Sequence, residues 1–364
     1  MQENIRHSAE KPEMTVGIDL GDRFSRYCVV NQEGEVIEEG RVQTTMVALE
    51  RHFTGERQRI AMECGTHSPW VSRLLQGMGH EVLVANARKV RAITDSESKN
   101  DRNDAEKLAR FAAYDVRLLS PIQHRSPERQ RDLNLLQARD TLVRARTMLV
   151  NAMRGLVKSA GQRLPKCSTE SFARTVRTTI PAGMEPALTP LLEQVASLTE
   201  EIRKMDKQIE ALGKQYPEVV RLRSVPGVGP VVAAAYVLTL DSPGAAGKSR
   251  AVGAFLGLRP RQSQSGECDP QLRISKTGNS YLRRLLVQAA QYVLGRFGPD
   301  SELRRWGLKL SASGAKRGKK RAVIAVARKL VIAVARKLAV LLHHLWRSGE
   351  YYRPFPNGTQ GLTP

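Results

Sequence analysis

The sequence predicts an α/β layer domain, then a long helical arm and a mostly helical C-terminal region. Three observations predict it. Strand-like runs at 15–20, 26–30 and 35–42 are separated by the turn signals Asp22-Arg23 and Asn31 to Gly34, as in an antiparallel meander. Helical and strand patterns then alternate up to about residue 113. Beyond residue 125 the strand pattern disappears and long helical periodicities take over.

Within the first region, 44–53 reads as a helix with Met46, Leu49 and Phe53 on one face. Residues 59–62 read as a strand ending in Glu63-Cys64-Gly65, 69–78 as a helix, 81–85 as a strand and 102–113 as a helix. The order βββαβαβα is the ribonuclease H-like arrangement, an α/β layer fold. Residues 1–13 are polar and read as a disordered tail.

Composition narrows the partners. Lys and Arg outnumber Asp and Glu by 58 to 36, a net charge of +22, which favours a polyanionic partner through counterion release. Aromatics make up only 5%, so extensive base-stacking surfaces are not advertised. Cys28, Cys64, Cys167 and Cys268 have no CxxC spacing, which argues against a zinc site or disulfide framework and for a reducing, cytosolic compartment. The N-terminus has no apolar signal core, and no apolar run approaches the roughly 20 residues that span a bilayer.

The acids fall in telling places. Asp19 sits among apolar residues at the end of the first strand, flanked by Gly17 and Gly21. Alone it reads equally as a metal ligand or as an acid capping the following turn. Glu63 ends the fourth strand, and Asp101 and Asp104 open the last helix, on one face at a spacing of three. Singly, the two helix acids are ordinary N-terminal caps. As a set on one sheet edge, four carboxylates would repel unless divalent cations neutralise them, the arrangement of two-metal phosphodiester chemistry.

Farther on, 127–157 reads as a long Arg-rich helix and 159–190 as irregular. Leu188, Leu191, Val195, Leu198, Ile202, Met205, Ile209 and Leu212 alternate steps of three and four, a heptad seam that pairs either within the chain or with another protomer. Pro226-Gly227-Val228-Gly229-Pro230 is a tight turn between helical segments. Gly227 and Gly229 there either contact a DNA phosphate or simply connect two helices. Arg259-Pro260-Arg261 opens a polar loop holding Ser263 and Ser265, followed by Arg273, Lys276 and a basic helix at 280–292 carrying Arg283 and Arg284. A loop serine among arginines is a nucleophile on phosphorus or a phosphate-binding or solvated loop residue. A basic run (Lys316, Arg317, Lys319, Lys320, Arg321) precedes a tandem VIAVARKL at 323–330 and 331–338. Eight residues turn a helix about 80° past two turns, so the repeat should rotate the downstream residues, including Trp346 and Tyr351.

Taken in order, GIDLG (17–21), AMECG (61–65), SKNDRNDAEKLA (98–109), PGVGP (226–230), LGLRP…QSG (256–266) and ISKTGNSYLRRLLVQAA (274–290) resemble the IS110/IS1111 family of transposases. The resemblance spans about 14–350. It implies a DEDD, RuvC-like domain at 14–125, a coiled-coil linker at 126–216, a serine-bearing transposase domain at 217–350 and a tail at 351–364. It implies Mg²⁺ on Asp19, Glu63, Asp101 and Asp104, and a nucleophilic serine, with Ser265 before Gly266 fitting the Ser-Gly step and Ser263 in reserve. Expected partners are element and target DNA, a structured noncoding guide RNA, and further copies of the chain in a dimer or tetramer, in the bacterial cytoplasm at the nucleoid. The VIAVARKL repeat departs from the pattern. Three competing readings are a RuvC-like metal-only junction nuclease, a sugar-kinase or actin-like ATPase (GIDLG opens that phosphate loop, without the second glycine-rich segment), and a non-enzymatic nucleic-acid-binding protein.

Overall fold

The computed structural model describes residues 13–86, 101–314 apart from 267, 269 and 271, and 320–355; for 101–102, 311–314 and 320–328 it describes the backbone alone. The polar tail at 1–12 and the end at 356–364 lie outside the described residues. The chain divides into two compact units, Met1–Arg125 and Ser126–Pro364.

The first unit runs β1 (Thr15–Asp19), β2 (Phe24–Val30), β3 (Val36–Gln43), α1 (Met46–His52), β4 (Arg59–Glu63), α2 (Ser68–Gly77), β5 (Glu81–Ala85), α3 (Asp101–Tyr114) and α4 (Val116–Leu119). The predicted order of strands and helices is the observed one, with ends shifted by one or two residues. Helix α1 starts after Thr45 because the Thr45 hydroxyl accepts from the Ala48 N–H at 3.3 Å, a side-chain N-cap.

The sheet order is β3-β2-β1-β4-β5. β1 pairs antiparallel with β2 and parallel with β4, and β4 pairs parallel with β5. Side chains alternate across this sheet with period two. Val16, Ile18, Ile60 and Met62 pack with Leu49 and Phe53 at α1 and Val71 and Leu75 of α2. On the opposite face, Cys28 and Val30 pack with Ala105, Ala109 and Ala113 of α3. The result is an α/β/α sandwich, the ribonuclease H/RuvC-like domain that the strand order predicts.

The second unit is helical among its described residues apart from isolated bridges: α5 (Pro127–Ser159), α6 (Phe172–Val176), α7 (Glu185–Gly213), α8 (Pro217–Leu222), α9 (Pro230–Leu240), a 3₁₀ turn (Ser249–Ala251) running into α10 (Val252–Phe255), α11 (Ser280–Leu294), α12 (Glu302–Gly314) and α13 (Lys320–Ser348). Helix α9 is buried nearly all round, which suits a helix with no polar face. Its Tyr236 hydroxyl donates to the Ala339 carbonyl at 2.6 Å, so this buried polar group is satisfied.

Helices α5 and α7 form an antiparallel hairpin within the chain, since Arg139 meets Asp206 at 2.5 Å and Arg146 meets Thr199 at 3.3 Å. The seam differs from the expected one. Leu188, Val195, Ile202 and Ile209 are buried as expected, but the intervening buried positions are Leu192 and Thr199, and Leu191, Leu198 and Met205 are only half-buried. Polar pairs occupy the contact stripe, a signal that apolar periodicity alone misses. Helix α7 also starts earlier than expected and contains Pro190, which lies in the second turn.

In α13 the second VIAVARKL copy supplies core residues Val334, Ala335 and Leu338, and Trp346 packs on Tyr236 at 6.4 Å. Trp346 is partly buried against the same core. Among the described residues no helix is long and apolar enough to cross a membrane.

Candidate active site

The first unit places Asp19 and Glu63 at the ends of two neighbouring strands of the sheet. Asp19 and Glu63 end adjacent parallel strands, with Ile18 in register with Met62. Helix α3 lies directly on β1. A Cβ at Gly17 would collide with the Ala105 carbonyl and the Ala109 amide, so glycine is required for this close approach. At the helix's other end, Arg59, which opens β4, donates to the Ala112 carbonyl at 3.3 Å and pairs with Glu81 at 3.1 Å. The C-terminus of α3 thus sits over the strand starts, and its first turn, with Asp101 and Asp104, lies toward the strand ends that carry Asp19 and Glu63.

Asp104 is half-buried, with Lys107 Nζ at 3.9 Å. The Asp101 side chain lies outside the described set. Among the described residues, no three His, Cys, Asp or Glu side chains stand close enough together to hold an ion. The donor chemistry nonetheless suits one class of metal: Asp19, Glu63 and Asp104 offer hard carboxylate oxygens, the ligand type of hard divalent cations.

The loops beside this edge hold residues that motif reading passed over. His67 Nε2 reaches Asp22 at 3.4 Å while its Nδ1 accepts from the Trp70 indole Nε1–H at 3.1 Å, tying the loop after β1 to the loop after β4. The buried Ser68 hydroxyl accepts from the Gly65 N–H at 3.0 Å, donates to the Gly65 carbonyl at 2.9 Å and meets His124 Nε2 at 2.9 Å. One hydroxyl proton and two lone pairs satisfy all three if His124 Nε2 carries its hydrogen. Burial, then Arg73 and Arg125, pushes the His124 pKa below its ordinary value, so the ring is held neutral. Burial likewise raises the Cys64 thiol, with Ser68 and Arg125 opposing and Glu63 adding to the rise. The signal in the sequence is the Ser four residues after Cys64, but His124 is far along the chain and only the fold brings it in.

The second unit carries the serine loop, and it is a hairpin. Arg261 N–H donates to the Arg273 carbonyl and Ser275 N–H to the Arg259 carbonyl, both at 2.9 Å. At the tip, Ser265 and Cys268 exchange backbone hydrogen bonds of 3.1 and 3.0 Å around Gly266, whose φ is +56°. Ser263 and Ser265 are both exposed. Arg259, Arg261, Arg273 and Lys276 lie at the surface too, and none pairs with a carboxylate among the described residues.

The hairpin base is the tightly built part. Gly257 and Gly278 have positive φ; a Cβ on Gly257 would collide with the Thr277 backbone and one on Gly278 with the Phe255 carbonyl. Arg283 Nη1 donates to the Leu256 and Thr277 carbonyls, both at 3.0 Å. Arg284 forms a bidentate pair with Asp140 at 3.2 and 2.8 Å. These two arginines, expected at a nucleic-acid surface, are held by intramolecular partners. Asn279 caps α11 by accepting from Leu282 N–H at 2.9 Å.

The glycine turn lies between α8 and α9, as expected. Gly227 has φ +82° and a Cβ there would lie 3.0 Å from the Ala289 carbonyl, whereas Gly229 has open space around it. A cleft of about 480 Å³ lies here, lined by Arg223, Gly227, Gly229, Gln288 and Tyr292 among others. Of the expected basic run, Lys316, Arg317 and Lys319 lie outside the described residues, and Lys320 and Arg321 are described by backbone only, at the start of α13.

A ribonuclease H-like sheet followed by a helical unit is the arrangement expected of the DNA transposases with a DEDD domain, and the comparisons with known proteins give that class. A model of that DEDD transposase domain matches residues 16–161, and the model described as "Transposase IS116/IS110/IS902 family" matches 219–304. The chain belongs to the IS110/IS1111 family of transposases. It is 29% identical to the transposase for insertion sequence element IS1111A of Coxiella burnetii over 89% of both chains. It is 32% identical to a probable family 20 transposase of Pseudomonas aeruginosa, over 65% of this chain and 71% of the relative. It is 28% identical to the transposase for insertion sequence element IS1328 of Yersinia enterocolitica, over 77% and 84%. The protein is an insertion-sequence transposase acting on DNA, and its DEDD domain carries an expectation of divalent-metal dependence.

Proposed function

We propose that this transposase cuts and exchanges DNA strands with Ser265 as nucleophile and the Asp19, Glu63, Asp101 and Asp104 carboxylates as the Mg²⁺-binding set. The observation that carries this reading is the placement of α3 on Gly17, which directs Asp101 and Asp104 toward the strand ends bearing Asp19 and Glu63. Mg²⁺ bound there would neutralise phosphate charge and orient the scissile group.

The chain's own residues account for the rest of the step. Ser265 Oγ forms a bond to phosphorus, and the bond from phosphorus to the deoxyribose oxygen breaks, that oxygen leaving with a proton. The hydroxyl of the incoming strand reverses the step and frees the serine. Arg259, Arg261 and Arg273 on the same hairpin favour the charge that builds on the phosphoryl oxygens. Exposure of Ser265 at a hairpin tip suits a group that must approach a phosphodiester.

Base choice is delegated to a structured guide RNA, which pairs with donor and target DNA while the protein grips backbones. The excess of Lys and Arg, the sparse aromatics and the family relationship support this division of work. Copies of the chain assemble through the arm, where Leu191, Leu198 and Met205 are half-buried and Met148 and Leu156 are 63% and 44% exposed. Such a protein acts on chromosomal DNA, at the nucleoid.

The test is a recombination assay on element-end and target DNA with the transcribed flanking RNA. Ser265→Ala and Asp104→Asn should each abolish recombination, and Ser263→Ala should leave most of it. Cleavage surviving loss of both serines would instead make the protein a metal-only nuclease.

A further inference from the structure

The closed end of the α5–α7 hairpin carries a cluster of charge that the proposed strand exchange does not use. Helix α5 is 33 residues long, about 50 Å, and this end lies beyond Leu133 and Leu136, which pack in one core with α9. Between 154 and 184 the chain has six cations, Arg154, Lys158, Arg163, Lys166, Arg174 and Arg177, and a single acid, Glu170. Helix α7 alongside has the opposite bias, with six acids and three cations between 185 and 213. The positive charge of the arm is therefore concentrated at its end.

The environment of these cations separates structural from free ones. Arg154 lies over the Phe172 ring at 5.2 Å and reaches Cys167 Sγ at 3.8 Å, so it serves the local core. Glu170 is met by Arg203 at 3.2 Å, and Arg203 also holds Glu200 at 2.6 Å. That leaves Lys158, Arg163, Lys166, Arg174 and Arg177 exposed and without a carboxylate partner among the described residues. Arg174 and Arg177 line a cleft of about 810 Å³ with Ser171 and Thr178, where Glu170 and Glu200 are the carboxylates already held by Arg203. The fold beneath is firm, because Val157, Leu164, Phe172 and Val176 pack with Leu188 and Leu192.

We infer that this cationic end of the arm is a docking surface for the sugar-phosphate backbone of double-stranded DNA. Charge complementarity selects a polyanion, since five exposed cations without a carboxylate partner fall within residues 158–177 and only Glu170 there offsets them, so phosphates gain by replacing their counterions. Phe172 is the sole aromatic between 154 and 184 and is fully buried. No ring there can stack on an unpaired base, which favours a duplex over a single strand. DNA rather than RNA is chosen because DNA is the substrate of a transposase. Contacts of this type carry no base information and position the duplex relative to the chemistry.

The experiment measures binding of the full-length protein to an unrelated-sequence duplex and to an RNA hairpin of equal length, from 50 to 200 mM salt, with thermal unfolding as a fold control. The variant is Arg163→Gln/Lys166→Gln/Arg174→Gln/Arg177→Gln. Each lost phosphate contact removes about 0.9 from the slope of log affinity against log salt. The expected result is a slope shallower by about two or more and binding to DNA at least about tenfold weaker. Replacing the three arginines by lysine should preserve the slope, and Lys207→Gln/Lys214→Gln on and just beyond the acidic helix α7 should leave it unchanged. An unchanged DNA slope, an equal loss in the Lys207/Lys214 control, or a loss confined to the RNA hairpin would overturn the assignment.

Discussion

The carboxylate edge and the serine hairpin are built in opposite ways. The edge rests on a five-stranded sheet whose central strand is buried on both faces, with α3 seated on it through Gly17 and a row of alanines. The hairpin has an exposed tip, held by a few backbone hydrogen bonds above a crowded glycine base. On the proposed mechanism, the carboxylates that would hold metal stand on rigid elements, whereas the serine that would meet phosphorus stands on an exposed hairpin tip. Such a division lets the reacting serine move while the carboxylates stay fixed.

The largest effect should come from breaking the rigid side. Gly17→Val drives a branched side chain into the α3 backbone, and overpacking of this kind typically costs about 1–3 kcal/mol and sometimes more. The expected outcome is loss of the cooperative unfolding transition of the first unit, together with loss of all recombination. A variant with a normal melting curve would show that α3 does not sit where Gly17 allows it.

A smaller effect should come from the hairpin base. Arg283→Ala removes two hydrogen bonds to carbonyls, each worth about 1 kcal/mol and more for a charged donor. Recombination should fall about tenfold or more while the melting temperature drops by only a few degrees. Arg284→Ala should also cost little stability, since its pair with Asp140 is half exposed on the arginine side. Equal and total loss in both would mean that the two arginines contact nucleic acid directly.

The smallest effect concerns pH. His124 and the fully buried His343, which bonds Ser249 at 2.9 Å and the Pro243 carbonyl at 3.0 Å, both have pKa values lowered, chiefly by burial. The unfolded chain then binds more protons than the folded one just below the ordinary histidine range, so stability falls as pH drops through that window. Melting temperatures at pH 7.5 and 5.5 should differ in that direction, and a His124→Gln/His343→Gln variant should show less of the difference.

Much of this was legible in the chain. The strand runs and their turns led directly to the sheet, and Asp19 and Glu63 fell at strand ends because apolar runs stop where the sheet does. The arm was less legible. Polar groups such as Thr199, Asp206 and Arg146 sit in the contact stripe, so counting apolar residues rotated the seam to Leu191, Leu198 and Met205. The hairpin around Ser265 looks like a loop in sequence because its pairing uses backbone groups and its side chains show no alternation. Ser68 with His124 is invisible in the chain because only tertiary contact brings them together, whereas the cations of the arm's end can be counted in sequence but not sorted into paired and unpaired ones.

The central claim is that Ser265 is the nucleophile and depends on the carboxylate edge. Its most direct test is to react the wild-type protein with end DNA and the flanking RNA, digest it, and map DNA-linked peptides by mass spectrometry. The account predicts a phosphodiester on Ser265 that disappears in Asp104→Asn. Strand cleavage without any adduct, or an adduct on another residue, would contradict it.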